Sequence, residues 1–206
     1  MTTVPRTDRN PRQRLDPEER REAILAAAAH AFAAAPYDEV SIASVAAGAG
    51  ASEALVYRYF AGKPELYAQV LRRALADLLA RQAAALADLS DGVPVRDRLR
   101  ATTLVYLDHV AAHPTGWASP LQRGGLEPDV AARIRRDARE EYVERLRGLL
   151  APSSTVRHEY ALWGYFGFLD AACLRWVDRG CPDDDRWSLL DATLGALEGA
   201  LGDWAA

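Results

Sequence analysis

Between Ser41 and Lys63 the chain gathers side chains suited to holding phosphate and reading a duplex: Ser41, Ser44 and Ser52, the run Tyr57-Arg58-Tyr59, and Lys63, its only lysine. Ser41 and Ser52 each open a short apolar-periodic stretch. A serine there can cap the first backbone N–H groups, and those left unpaired make a place for a phosphate oxygen. Ile42, Val45, Ala46, Val56 and Phe60 supply the inward sides. Glu53, Ala54, Tyr57 and Arg58 are left on the outer face of the second stretch, a surface that suits a major groove. Lys63 stands at the head of a further helix, where its charge adds to the positive end of the dipole and suits one phosphate contact. The alternative, an aromatic cluster of Tyr57, Tyr59 and Phe60 beneath a helix crossing, leaves Ser41, Ser52 and Lys63 unexplained.

Other residues could do different chemistry. His109 and His113, four apart, would share one helix face as two metal ligands would. No third ligand accompanies them, and His113 beside Pro114 can instead satisfy a helix C-terminus. No metal and no cofactor is therefore expected. A helical metalloenzyme built on His109, His113 and Asp170 is the rival reading, but no activated nucleophile or catalytic motif supports an enzyme. Asp170 lies among Phe166, Leu169, Ala171 and Cys173, where it can meet a ligand amine or hydroxyl or make a buried hydrogen bond. With Tyr106, His109, Trp117, Trp163 and Phe166 it forms a candidate small-molecule pocket, mostly apolar with a few placed polar groups.

These groups need a scaffold, and the chain favours an all-α one. Half of its 206 residues are hydrophobic. Alanine, leucine and arginine dominate, and apolar residues recur every three or four positions. About nine helices are predicted. Asp16-Pro17-Glu18-Glu19 reads as a capped start for a helix ending before Pro36. Two short helices, from Ser41 to about Ala47 and from Ser52 to Tyr59, flank Gly48-Ala49-Gly50-Ala51, the form of a helix-turn-helix. A long helix follows from about Pro64 to Leu89. Further helices are expected over roughly 94–112, 119–123, 128–150, 155–179 and 184–201. The reading is a basic N-terminal arm over 1–15, a three-helix unit over 16–70 and a larger helical domain over 71–206.

Charge is unevenly spread: residues 1–75 carry 10 basic and 9 acidic side chains, and 76–206 carry 15 and 20. The arm holds Arg6, Arg9, Arg12 and Arg14 against Asp8, so the first third can face phosphates although the whole chain is at −4. Two cysteines, Cys173 and Cys181, make no disulfide framework, which suits the cytoplasm. No run of 18 apolar residues suggests a membrane span.

The combination Val45-Ala46, Gly50-Ala51-Ser52, Val56-Tyr57-Arg58-Tyr59-Phe60 and Lys63, together with Ile24-Leu25 through Phe32, resembles the DNA-binding domain of the tetracycline-repressor (TetR) family over about residues 20–70. Pro36 replaces a glycine common there after the first helix, and Ala54-Leu55 replaces a small or polar pair. By that resemblance, Ser41, Ser44, Ser52, Tyr57, Arg58, Tyr59 and Lys63 belong to the DNA surface, mostly at the sugar-phosphate backbone, with Ala43, Glu53 and Ala54 nearest the base edges. Glu53 can accept from a cytosine amino group or merely favour its helix N-terminus. The resemblance also implies a homodimer through the last two helices, with Gly164, Phe168, Ala171, Leu190, Leu194 and Leu197 at the seam. A repressor leaving a palindromic operator when a small-molecule effector binds is the expected function. A C-terminal domain used only for dimerisation or a protein partner is the alternative.

Overall fold

The computed structural model describes residues 16–124, 126–150 and 155–202. The basic arm over 1–15 lies outside the described residues. Among them run nine α-helices: α1 (Pro17–Ala34), α2 (Ile42–Gly48), α3 (Glu53–Tyr59), α4 (Lys63–Ala87), α5 (Val95–Ala112), α6 (Pro114–Gln122), α7 (Asp129–Leu149), α8 (Val156–Asp178) and α9 (Arg186–Leu201). Short 3-10 turns stand before α2 and α9. No helix among the described residues is long and apolar enough to cross a membrane.

Local chemistry sets the helix starts. Asp16 Oδ1 accepts from the backbone N–H groups of Glu18 and Glu19, both at 2.8 Å, and the Glu19 carboxylate accepts from Asp16 N at 3.0 Å. This reciprocal cap, with Pro17 in the first turn, starts α1 where the sequence places it. Ile24, Leu25, Ala28 and Phe32 then fall on its buried stripe.

Two cores result. One joins α1, α2, α3 and the first half of α4 around Ile24, Phe32, Val45, Val56, Phe60 and Leu66, and also takes in Leu71 of α4 and Ala131 of α7. The other is built by α5, α7, α8 and α9. Because α4 runs for 25 residues without a break, its start belongs to the first core while its length packs along α5 and α7.

α6 differs from the sequence expectation. Pro114 begins this helix instead of only ending its predecessor, since a proline in a first turn lacks an N–H that would be unpaired anyway. His113 alone separates α5 from α6. Gly116 brings α6 against the backbone of α1: a Cβ there would lie 2.6 Å from the Phe32 carbonyl oxygen and 3.1 Å from Ala33 Cα.

The last two helices also require a correction. Leu190, Leu194 and Leu197, expected at a subunit seam, are fully buried in the chain's own core. Their i, i+4, i+7 row shares that cluster with Leu107, Leu162 and Leu169, so burial within the chain uses the whole leucine stripe of α9. The opposite side of α9 carries Gly195 and Gly199 at the surface, and Trp187 is exposed in its first turn. Gly164, Phe168 and Ala171 of α8 do point outward, beside exposed Tyr160 and Gly167.

Candidate nucleic-acid interface and cavity

The α2–α3 unit is held by backbone chemistry at both ends of its turn. Ser41 Oγ accepts from Ser44 N at 3.0 Å, and Ser44 Oγ accepts from Ser41 N at 3.3 Å while donating to the Ser41 carbonyl at 2.7 Å. At the end of α2, Ala51 N donates to the Ala46 carbonyl at 2.9 Å and Gly50 N to the Ala47 carbonyl at 3.1 Å. These paired bonds close a Schellman turn, which needs a left-handed residue after the cap, and Gly50 supplies it with φ 60°. Ser52 Oγ then accepts from Leu55 N at 3.2 Å to start α3.

One face of the unit is sealed and the other is open. Val45, Ala46, Val56 and Phe60 are buried. Ser41, Ala43, Ser44, Ser52, Glu53, Ala54, Tyr57 and Arg58 are exposed, Tyr57 by 54%. Tyr59 is half-buried and packs on the first core. The structure thus brings together the residues singled out between Ser41 and Lys63, with Tyr59 and Lys63 more enclosed than the rest. The Lys63 ammonium sits 4.2 Å from the centre of the Tyr37 ring and donates to the Asp38 carbonyl at 3.5 Å. Burial lowers its pKa from the ordinary lysine value, with the Asp38 charge acting in the opposite sense. A seven-residue helix with a capped start, an apolar back and an outer face of Glu53, Ala54, Tyr57 and Arg58 has the dimensions and chemistry to enter a major groove.

Behind this unit a cavity of about 980 Å³ opens among α1 and α4 to α8. Tyr106, His109, Trp117, Phe166 and Asp170 line it as a group. Trp163 does not: it is 40% exposed on the outer side of α8, and its indole N–H donates to Glu159 at 3.0 Å. An α8 that is apolar nearly all round gives no local sign of which arc faces inward, and its aromatic residues divide between the two sides.

Inside, Trp117 Nε1 donates to the Tyr106 hydroxyl at 3.0 Å, which donates to Asp170 Oδ1 at 3.1 Å, while the other Asp170 oxygen pairs with Arg139. Burial, reinforced by the Asp170 charge, holds the Tyr106 phenol well above its usual pKa. His109 is pushed down to about 4, chiefly by burial and then by His113 and Arg81, so its imidazole is neutral near pH 7. The rings of His109 and His113 stand 5.6 Å apart, and among the described residues no group of three His, Cys, Asp or Glu side chains could hold a metal ion.

Two polar clusters tie the cavity side to the α2–α3 side. Arg135 donates to both Glu127 oxygens, at 3.0 and 3.1 Å, and to the Tyr67 hydroxyl at 3.1 Å, and Tyr67 also donates to Glu127. Arg123 pairs with Glu39 at 2.9 Å. Sequence reasoning missed Arg135 and Arg139. Their signal was a four-residue spacing on the same side of α7 as Ala131 and Ile134, arginines set into an otherwise inward stripe.

These features define a helix-turn-helix protein with a cavity-bearing helical body. Residues 24–70 match the family model described as bacterial regulatory proteins, tetR family. The chain is similar to the HTH-type transcriptional activator FasR of Mycolicibacterium smegmatis, at 32% identity over 123 residues, 59% of this chain and 55% of that protein. The match therefore spans about half of that relative's length. Among solved structures, a tetR-family transcriptional regulator from Streptomyces coelicolor superposes with a TM-score of 0.80 at 25% identity, covering 91% of this chain and 82% of that one. The regulator FadR from Bacillus subtilis, solved in complex with stearoyl-CoA, shares the fold with a TM-score of 0.65 at 17% identity, covering 87% of this chain and 96% of the other. Residues 24–70 thus carry a DNA-binding domain of the tetR family, and the described chain shares the fold of tetR-family transcriptional regulators.

Proposed function

We propose that the protein is a cytoplasmic homodimer that represses transcription by binding an inverted-repeat operator, and that a small molecule in the cavity releases it. Residues 16–70 form the reading head and 71–206 the sensing and dimerising body. The observation that carries this reading is the two-sided α3, with Val56 sealed inside and Glu53, Ala54, Tyr57 and Arg58 presented outward. Ser41, Ser44, Ser52, Tyr57, Tyr59 and Lys63 meet sugar and phosphate, while Ala43, Glu53 and Ala54 approach base edges.

A second copy covers the outward faces of α8 and α9, where Gly164, Gly167, Ala171, Gly195 and Gly199 allow close approach between large side chains such as Phe168 and Trp187. Two-fold pairing of reading heads matches a two-fold operator. The ligand acts only insofar as it binds the DNA-free arrangement more tightly than the DNA-bound one. FadR's stearoyl-CoA supports a use for such a cavity in this fold, and the chain's action is binding rather than turnover.

Selection of bound duplexes from a random pool at low salt tests the reading. Enrichment of an inverted repeat is expected, and a reporter placed downstream of it should be silenced by the protein. Failure to retain any duplex, or enriched sites without two-fold symmetry, refutes the proposal, and increased reporter output refutes repression.

A further inference from the structure

The cavity's size places it at the upper end of small-molecule sites, enough for a long or polycyclic compound. Its charges are arranged in an unusual way for so large a space. Six Arg, Asp and Glu side chains line it among the described residues: Arg73, Asp77, Arg135, Arg139, Arg145 and Asp170. Each already has an opposite charge within the chain. Asp77 meets Arg81 at 2.9 Å, Arg135 meets Glu127 at 3.0 Å, and Arg145 meets Glu141 at 2.7 Å. Arg73 pairs with Glu22, and Arg139 with Asp170.

We infer that the cavity selects an uncharged molecule: an elongated, mostly apolar body with one or two neutral hydrogen-bonding groups such as an alcohol, ester or ketone. The inference rests on the sensor reading above and names the chemistry of its ligand. An anionic or cationic head beside the two enclosed pairs, Arg139–Asp170 and Arg135–Glu127, would have to take a partner from one of them and leave its counter-charge uncompensated away from bulk water, whereas the half-exposed Arg73, Asp77 and Arg145 pairs are already screened by solvent and offer a charged head little. The Arg139–Asp170 pair, the more enclosed of them with Arg135–Glu127, sits at the centre of this argument.

Of the other polar groups on the wall, several are already used. Thr103 and Tyr165 bond to each other at 2.8 Å, and Trp117 and Tyr106 are committed to the Asp170 chain. Tyr142 and His109 retain capacity. The Tyr142 hydroxyl of α7 is buried with no partner among the described residues, and the uncharged His109 ring of α5, edge-on to His113, has among the described residues one hydrogen-bonding contact, the Arg81 guanidinium at 3.4 Å. A hydroxyl or carbonyl oxygen on a ligand would satisfy either group, while apolar walls from α1, α4 and α8 take the body.

Calorimetric titration of the full chain with dodecan-1-ol, dodecanoate and dodecylammonium, each below its aggregation limit at pH 7.5, holds the tail constant and varies only the head. The alcohol should bind at least about tenfold more tightly than either ion. Equal or tighter binding of an ion overturns the inference and leaves the sensor reading standing, whereas no binding of any of the three overturns both. Two substitutions provide a reciprocal check. Asp170→Asn leaves Arg139 uncompensated and should gain affinity for dodecanoate, and Arg139→Gln should gain affinity for dodecylammonium. Unchanged preferences in both folded variants overturn the inference.

Discussion

Replacing Gly116 by alanine places a methyl group where α6 meets α1. Its carbon would lie 2.6 Å from the Phe32 carbonyl oxygen and 3.1 Å from Ala33 Cα. Both neighbours are backbone atoms, so neither can rotate away, and the two helices must part by about half an ångström to restore ordinary contact. Overpacking of this kind costs roughly 1–3 kcal/mol, while the better helix propensity of alanine returns up to about 1 kcal/mol. The net loss is about 1–2 kcal/mol, or a fall in Tm of about 2–8 °C for a chain of this size. Gly148→Ala in α7 is the matched control, because its Cβ would meet nothing within 4 Å. Differential scanning calorimetry of the two variants beside the parent isolates the contact. A G116A variant at least as stable as G148A would refute the reasoning, since it would mean that α1 and α6 separate without cost.

Gly50→Ala puts a side chain on the left-handed residue of the α2–α3 turn and should cost about 1 kcal/mol, read by urea denaturation. Tyr57→Ala removes an exposed side chain, so Tm should stay within about a degree while affinity for the selected operator falls, measured by fluorescence anisotropy. Lys63→Ala should weaken binding to all duplexes alike and lower the slope of log affinity against log salt by about 1. His109, held at about 4 in the fold against an ordinary 6.5, binds fewer protons folded than unfolded between those values. Stability should therefore be fullest above pH 6.5 and fall as pH drops toward 4, by roughly 2–3 kcal/mol from this group, and His109→Leu should flatten that part of the profile.

The elements that announce themselves in the sequence are those set by neighbours in the chain. The Asp16–Glu19 cap, the serine starts of α2 and α3 and the Gly50 turn each depend on groups no more than five residues apart, and all stand where their residue types put them. The exposed face between Ser41 and Arg58 was readable for the same reason. What distant segments decide was not. Arg139 and Asp170 meet across 31 residues, and Arg123 reaches Glu39 across 84. The apolar surplus of α8 and α9 likewise left two arcs able to face inward. The fold gives Leu190, Leu194 and Leu197 to the chain's own core and leaves Trp163 at the surface. Gly116 had no sign in its neighbours at all, because what excludes a side chain there is the backbone of a helix some 80 residues earlier.

Having Lys63 as its only lysine gives the protein an unusual chemical address. The other basic side chains are guanidiniums and four imidazoles, so an amine-directed acylating reagent has one side-chain amine to target, and that amine is made more reactive by the burial that depresses its pKa. Acylation erases its charge, and a bound duplex that occupies the amine would shield it. The extent of labelling at one position would then measure, without mutation or tag, how much of the protein is on DNA.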